Sequence, residues 1–277
     1  MVETIHAAFD KLAFELNNIT QDRPIVFLLS PGNWGDSIIR EGTERFFQHY
    51  DFKYHTVIAN DVIKKRTTLE AEIVKSGYSA PVVVCGGGGA FCGRYDTPQI
   101  TAQLTQYFQT AVLLPSTIDM DLSQLAFAPD MHVFVRDRFE SQAQLPGASF
   151  CHDMAFFLKP VAPEPRKEVG YFLRQDLEAP EGLVVPRGNY DVSKKGRVNT
   201  PVKGFINAIS RYKIVHTNRL HIGIVATLLG RETHIYPNDY FKNRAIFNSS
   251  ISPFFPNTTF HTTFVPPKPR KRFLGLF

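Results

Sequence analysis

Short, wholly apolar runs alternate along this chain with stretches in which apolar residues recur every three or four positions. Ile5, Phe9, Leu12 and Leu16 mark a first helical stripe. Ile25 to Leu29 (IVFLL) reads as a buried strand, stopped by Ser30-Pro31-Gly32. A helix is predicted from Ser37 to Tyr50, then a strand over Val82–Cys85 that runs into four glycines. Gln99 to Phe108 reads as a helix, Ala111 to Leu114 and Val133 to Val135 as strands. Residues 159–167 (KPVAPEPRK) hold three prolines and read as a stiff linker. The alternation then restarts: strand 169–173, helix 202–211, strand 213–216, a helix from about Asn218 to Leu229 closed by Gly230, and strand 232–236. Residues 248–267, rich in Ser, Thr, Phe and Pro, read as irregular surface wrapping. This order predicts an α/β fold with parallel sheets covered on both faces, in two halves: 1–160 and 161–277.

Composition narrows the class. With 43% hydrophobic and 21% charged residues the chain is globular. No run reaches the 18 or so apolar residues of a membrane span. The opening MVETIHAAFDKLAFEL mixes acids with its apolar residues, unlike a signal peptide, so a cytoplasmic location is expected. The net charge of +5 is concentrated at one end. Without Lys268, Arg270, Lys271 and Arg272, 27 basic residues of the 31 face 26 acidic ones, so no nucleic-acid-binding face is expected. The three cysteines, Cys85, Cys92 and Cys151, form no C-x-x-C pair and read as reduced thiols. No metal-ligand cluster is visible in the sequence.

Ligands of open parallel sheets bind where loops leave the C-terminal ends of strands, and the unusual residues cluster there. Gly32-Asn33-Trp34-Gly35-Asp36 follows the first strand, with Asp36 either capping the next helix or facing a cleft. Gly86–Gly89 is either a flexible turn or a run of backbone N–H donors suited to an anion; it is not a P-loop. Arg136 and Arg174 end strands in the two halves, each within two residues of an acid (Asp137, Asp176): local ion pairs, or forks for a carboxylate or phosphate. Arg219 and His221 sit at the start of the apolar helix IGIVATLLG, where the positive helix terminus adds to the arginine. His221 is there either a hydrogen-bonded packing residue or an acid–base group near neutral pH. The run Tyr236 to Arg244 (YPNDYFKNR) mixes aromatic faces with polar heads, as a sugar or phosphate site does and as a solvated turn does.

Taken in order, these segments resemble the polysaccharide pyruvyl transferase family. The matching pieces are Gly32–Asp36, the glycine run with Ala90-Phe91, Leu114-Pro115-Ser116, Arg136-Asp137 with Ser141, Asp153, Arg219-Leu220-His221 and the 238–244 run, covering about residues 25 to 247. The resemblance implies two Rossmann-like domains facing a central cleft, a glycosyltransferase-B-like arrangement. It implies phosphoenolpyruvate as co-substrate, a sugar or lipid-linked oligosaccharide acceptor, a pyruvate ketal as product, and no cofactor or metal. Its Arg-Leu-His carries over to Arg219, Leu220 and His221, and its first-domain arginine to Arg136. Arg174, Asn33 and the backbone of Gly87 and Gly88 join the donor set. Asp36 is the candidate base, and Trp34, Asp239, Tyr240, Lys242 and Asn243 the candidate acceptor contacts. The tail 268–277 joins four cations to Phe273, Leu274, Leu276 and Phe277, a pattern suited either to an anionic membrane surface or to a frayed terminus.

Overall fold

The computed structural model describes residues 4–266; the basic tail singled out above lies outside the described residues. The chain opens with α1 (Ile5–Thr20), whose Thr4 side chain accepts a hydrogen bond from the Ala7 N–H. Then follow β1 (Ile25–Leu29), α2 (Trp34–His49), β2 (Tyr54–Ile58), α3 (Ala59–Ile63), α4 (Leu69–Ser76), β3 (Val82–Cys85), β4 (Gly88–Cys92), α5 (Thr97–Thr105), β5 (Thr110–Asp119), β6 (Asp130–Val135), α6 (Glu140–Gln144) and β7 (Ser149–Phe150). All seven strands pair in parallel, in the order β2-β1-β3-β5-β6-β7, with β4 also on β5. Because β1 lies between β2 and β3, the strand order reverses beside it. The loops leaving β1 and β3 therefore part at a switch point, where such sheets bind ligands.

A short 3-10 helix (Met154–Phe157) and the unstructured stretch 158–166 lead to a second sheet. It comprises β8 (Lys167–Phe172), α7 (Lys203–Ser210), β9 (Tyr212–Thr217), α8 (Leu220–Leu228), β10 (Glu232–Ile235), α9 (Lys242–Ile246), a π-helical turn (Phe247–Ile251) and β11 (Thr258–Phe260). The order β11-β10-β9-β8 is again all parallel. Segment 248–267 is thus less irregular than expected, since β11 extends the sheet. Several predicted boundaries move. The second half of the glycine run already belongs to β4, β5 runs on through Leu114-Pro115-Ser116, and Arg219 stands just before α8 as its N-cap.

Both faces of the first sheet are buried, which is why β1 reads as a continuous apolar run. Ile25, Phe27 and Leu29 join one core, Val26 and Leu28 the other. The first of these cores extends through α1, α2 and Met154–Phe156 to α7, α8 and Phe172 of the second sheet. α8 lies between its own sheet and α2, so apolar residues surround it and no polar stripe remains. Cys85, Cys92 and Cys151 are buried and unpaired. Among the described residues no helix is long and apolar enough to cross a membrane.

Candidate active site

The loops at the strand ends converge on a cavity of about 200 Å³ lined by residues from both sheets. On the first-sheet side, the turn after β1 is fixed by a reciprocal cap. Asn33 Oδ1 accepts from the Gly35 N–H at 2.7 Å, and Asp36 Oδ2 accepts from the Asn33 N–H at 2.7 Å. Asp36 therefore realises both of its sequence-level alternatives, since it caps α2 and lines the cavity.

Arg136 continues from β6 into the cavity wall, wholly buried. Its Nε donates to Thr117 Oγ1 at 2.9 Å and its Nη1 to Asp153 Oδ2 at 2.5 Å. A Cβ on Gly89 would lie 2.8 Å from Arg136 Nη2 and 3.0 Å from Lys242 Cδ, so a side chain there would displace the ends of both cations. Gly89, with Ala90, is the part of the glycine run that lines this cavity. Gly87 and Gly88, the two positions expected there, line a neighbouring chamber instead. Gly87 packs its α-carbon against the Pro115 carbonyl, and Gly88 takes a positive φ of 143° at the start of β4.

From the second sheet come Arg174, Arg219, Leu220, His221 and Lys242. The Arg174 N–H is held by Asn218 Oδ1 at 2.7 Å; its Nε donates to Asp176 Oδ1 at 2.8 Å and its Nη1 to Glu178. Arg219 grips Asp191 with Nε at 2.9 Å and Nη2 at 2.6 Å, and Nη2 also reaches Asp176 Oδ2 at 2.6 Å. His221 Nε2 stands 3.6 Å from Asp153 Oδ2. A side chain at Gly35 would crowd its other nitrogen, which explains the glycine in that position. Lys242 Nζ donates to Glu178 Oε2 at 2.6 Å and lies 4.9 Å from the centre of the Tyr240 ring.

Four cations thus meet in one cavity, each braced by a buried or half-buried carboxylate: Asp153, Asp176, Glu178 or Asp191. Burial alone would raise the Asp153 carboxyl, yet Arg136 and His221 outweigh it and hold the group well below the usual carboxylate range. Burial likewise acts against ionised Glu178, and Lys242 and Arg174 overcome it. For Lys242 burial wins: despite Glu178, desolvation and the neighbouring Arg174 and Arg136 push its ammonium down to about 8.

The other expected acceptor contacts are committed elsewhere. Trp34 donates from Nε1 to the Pro201 carbonyl at 3.1 Å and sets its ring edge-on to Phe205, over Gly196 and Gly204. Asn243 is fully buried and bonds the Asn218 and Tyr236 carbonyls at 2.8 and 2.9 Å. Asp239 pairs with Arg94 at 3.0 Å, and Tyr240 donates to the Gly89 carbonyl at 3.3 Å. Of that set only Lys242 lines the cavity. Sequence reading missed Glu178, Asp191 and Tyr95, whose hydroxyl donates to Glu178 Oε1 at 2.6 Å. Their loops carry no motif, and only the fold brings them to the arginines.

The order of these segments is that of a known family, and the profile named Polysaccharide pyruvyl transferase matches residues 33–240, about three quarters of the chain. The chain belongs to the polysaccharide pyruvyl transferase family. It is 25% identical over 294 aligned positions to the "Putative pyruvyl transferase EpsO" of Bacillus subtilis (strain 168), covering 86% of this chain and 89% of that protein. Its fold is similar to the crystal structure of an uncharacterized protein from Klebsiella pneumoniae subsp. pneumoniae NTUH-K2044. There the TM-score is 0.74 and the identity 25%, over 91% of this chain and 98% of that one. As a pyruvyl transferase acting on polysaccharide, the chain carries its Arg136, Arg219 and His221 inside the family match; Lys242 and Asn243 lie just beyond it.

Proposed function

We propose that the protein transfers the enolpyruvyl carbon skeleton of phosphoenolpyruvate onto two hydroxyls of one sugar, in an exopolysaccharide or capsular polysaccharide or its lipid-linked precursor. The products are a pyruvate ketal and inorganic phosphate. The observation that carries the reading is the convergence of Arg136, Arg174, Arg219 and Lys242 with His221 on one small cavity. Phosphoenolpyruvate presents a carboxylate and a phosphate on three carbons, and planar guanidinium forks suit both groups. The volume of about 200 Å³ lies below the roughly 300–1,000 Å³ of clefts that enclose drug-sized ligands, in keeping with a small donor.

In this scheme His221, oriented by Asp153, gives a proton to the methylene carbon of the donor. The first sugar hydroxyl attacks the adjacent carbon and loses its proton to Asp36. The C–O bond to phosphate breaks, and phosphate leaves carrying a proton. The second hydroxyl closes the ketal and releases its own proton, so two protons are taken up and two given back. No step calls for a cofactor or metal. The arrangement of two Rossmann-like domains about a cleft, with a boundary near residue 160, belongs to the same proposal, as does a cytoplasmic location. So does contact of residues 268–277 with the inner face of the membrane, which liposome flotation with and without them tests.

Calorimetric titration of phosphoenolpyruvate tests the donor. Arg219→Ala removes a charge-assisted fork worth roughly 2–3 kcal/mol, so affinity falls about 30- to 150-fold. Arg219→Lys, which keeps the charge, loses less, and unchanged melting of each variant guards against misfolding. His221→Ala retains donor binding and loses turnover. Failure of phosphoenolpyruvate to bind folded wild type, or tight binding of a nucleoside diphosphate in its place, refutes the reading and favours a nucleotide-sugar glycosyltransferase. Glycan binding without either donor leaves a non-catalytic partner.

A further inference from the structure

The donor cavity borders the start of α2. Asp36, Gly89 and Ala90 line it and also line a narrow second chamber between the glycine run and α2. Arg40, on the far wall of that chamber, in turn lines an open groove of about 560 Å³ shared with Arg45, Lys159, Lys203 and Glu41. Asp36 and Arg40 are four residues apart and so lie one turn apart on the same face of α2. Arg40 therefore stands between that second chamber and a groove whose lining carries four cations and one carboxylate.

Arg40 is the unusual member. Its side chain is 17% exposed, and its nearest carboxylates, Glu41 and Glu44, stand off at 3.8 and 3.9 Å, beyond hydrogen-bond reach. Its buried Nε has no hydrogen-bond partner among the described residues. Native structures satisfy such groups, and one left unmatched at a cavity wall asks for an explanation. Glu41 is instead engaged by Arg45, 3.0 Å away, and Glu44 is held so weakly that burial raises its carboxyl against the pull of Arg40. Arg40 thus keeps its Nε without a partner among the described residues, while Glu41 and Glu44 stand within ion-pair range of its terminal nitrogens but too far for hydrogen bonds. Lys159 and Lys203, exposed along the same groove, extend the positive field away from the chemistry.

We propose that the acceptor is an anionic glycan, whose carboxylate or phosphate, on the sugar next to the one pyruvylated, is taken by Arg40, with the chain continuing along Arg45, Lys159 and Lys203. This rests on the donor reading above. The anionic oxygens can belong to a uronic acid within the glycan or to the diphosphate that joins a glycan to its lipid. Arg40 touches neither the donor nor the reacting carbon; it sets which acceptor is held and where its hydroxyls fall.

The test titrates three probes into protein saturated with phosphoenolpyruvate: tetragalacturonate, uncharged maltotetraose and inorganic pyrophosphate. The proteins are wild type, Arg40→Gln, Arg40→Lys and the Lys159→Gln/Lys203→Gln pair. One anionic probe binds and maltotetraose does not; Arg40→Gln weakens that binding at least tenfold, and Arg40→Lys restores part of it. The lysine pair flattens its salt dependence. Arg40-dependent binding of tetragalacturonate assigns the anion to the glycan, and Arg40-dependent binding of pyrophosphate alone assigns it to the lipid linkage. The inference is overturned if neither anion binds, if maltotetraose binds as well as tetragalacturonate, or if Arg40→Gln binds the anions like wild type. Phosphoenolpyruvate affinity stays the same in every variant. Its absence in wild type is a different failure, of the donor reading itself.

Discussion

Raising the pH through 8 discharges Lys242 long before the three arginines of the cavity, and the proposed donor should register the loss. The Nζ of this lysine lies between Glu178 Oε2, at 2.6 Å, and the guanidinium groups of Arg174 and Arg136, under the Tyr240 ring. Burial and the two arginines bring it from 10.5 to about 8, so keeping it charged in the free protein costs about 3 kcal/mol. A phosphate oxygen placed about 4 Å away repays about 4 kcal/mol at an effective dielectric of about 20, which lifts the lysine in the complex by about three pH units. Donor affinity should then be level from about pH 7 to just below 8, and weaken up to tenfold per unit above, reaching about 30-fold at about pH 9.5. The donor phosphate, with a second pKa near 6, is fully ionised throughout and does not disguise the effect. Calorimetry across that range measures the dissociation constant, and two buffers of different ionisation enthalpy at about pH 8.5 measure the proton uptake, about three quarters of a proton per donor bound. Lys242→Met binds more weakly at neutral pH and shows a flat profile. If wild-type affinity stays within about threefold from pH 7 to 9.5 and no proton is absorbed, Lys242 does not meet the donor, and its place in the anion site is wrong.

Other consequences can be checked independently of the substrate. His152 sits among Phe9, Phe150, Phe156 and Phe254 with Nδ1 2.8 Å from Ser250 Oγ, and burial, helped by Arg138, pushes it down to about 4. A depressed histidine stabilises the fold above the unfolded value of about 6.5 and withdraws that stability between about 6.5 and 4, by about 3 kcal/mol at most. The stability lost between about pH 7 and 4.5 should be about 2–3 kcal/mol greater in wild type than in His152→Leu, where His216, also pushed down to about 4, still contributes; equal losses would dismiss the account. Gly42→Ala puts a Cβ 2.0 Å from the Met154 carbonyl and should lower stability by about 3 kcal/mol or more, whereas Gly93→Ala, with nothing within 4 Å, should leave the melting temperature unchanged. Trp34→Ala should cost about 2 kcal/mol of stability through its contact with Phe205 and Pro201, yet alter donor affinity by less than about threefold, because the indole does not line the cavity.

How far the residues announced this arrangement depends on the range over which each acts. β1, β3 and α8 were legible because burial on both sides leaves an unbroken apolar run, and α2 by its apolar stripe, although it starts at Trp34, three residues before the predicted Ser37, because Asn33 rather than Asp36 is its N-cap. The short β7, the five-residue helices and β11 were not, since they hold their shape through neighbours rather than through local pattern. The same division applies to the site. Arg136, Arg174, Arg219 and His221 stand at strand ends, where position alone suggests chemistry. Glu178 and Asp191 sit in a stretch between β8 and α7 with no periodicity, and their meaning appears only when Arg174, Arg219 and Lys242 arrive from elsewhere. Trp34 misled for a related reason. A single tryptophan beside a glycine turn suggests a sugar platform, whereas here Gly196 and Gly204 leave room for it to lie against the second half of the chain.

The carboxylates also bear on how such a site could turn over. A cavity meant only to grip a multiply charged anion would carry arginines without counter-charges, but a buried guanidinium without a partner is costly. Here each fork is fixed at one edge by its own acid, Arg136 by Asp153 and Arg219 by Asp191, so the other edge is aimed before any donor arrives. Asp176 joins two of them, accepting from Arg174 and Arg219 at once, and couples the forks into one unit. Geometry is gained and net charge is kept low. Under the proposed reaction that balance suits the product as much as the donor: a site of four unopposed cations would hold phosphate after the ketal had formed, whereas one already close to neutral lets it go. Asp176→Asn weighs the two effects against each other, since it removes the charge and, by turning one accepting oxygen into an NH2 donor, one arm of the bridge. Donor and phosphate should both bind more tightly, with phosphate inhibition becoming stronger; if both instead bind more weakly, the carboxylate serves to position the arginines and not to moderate their charge.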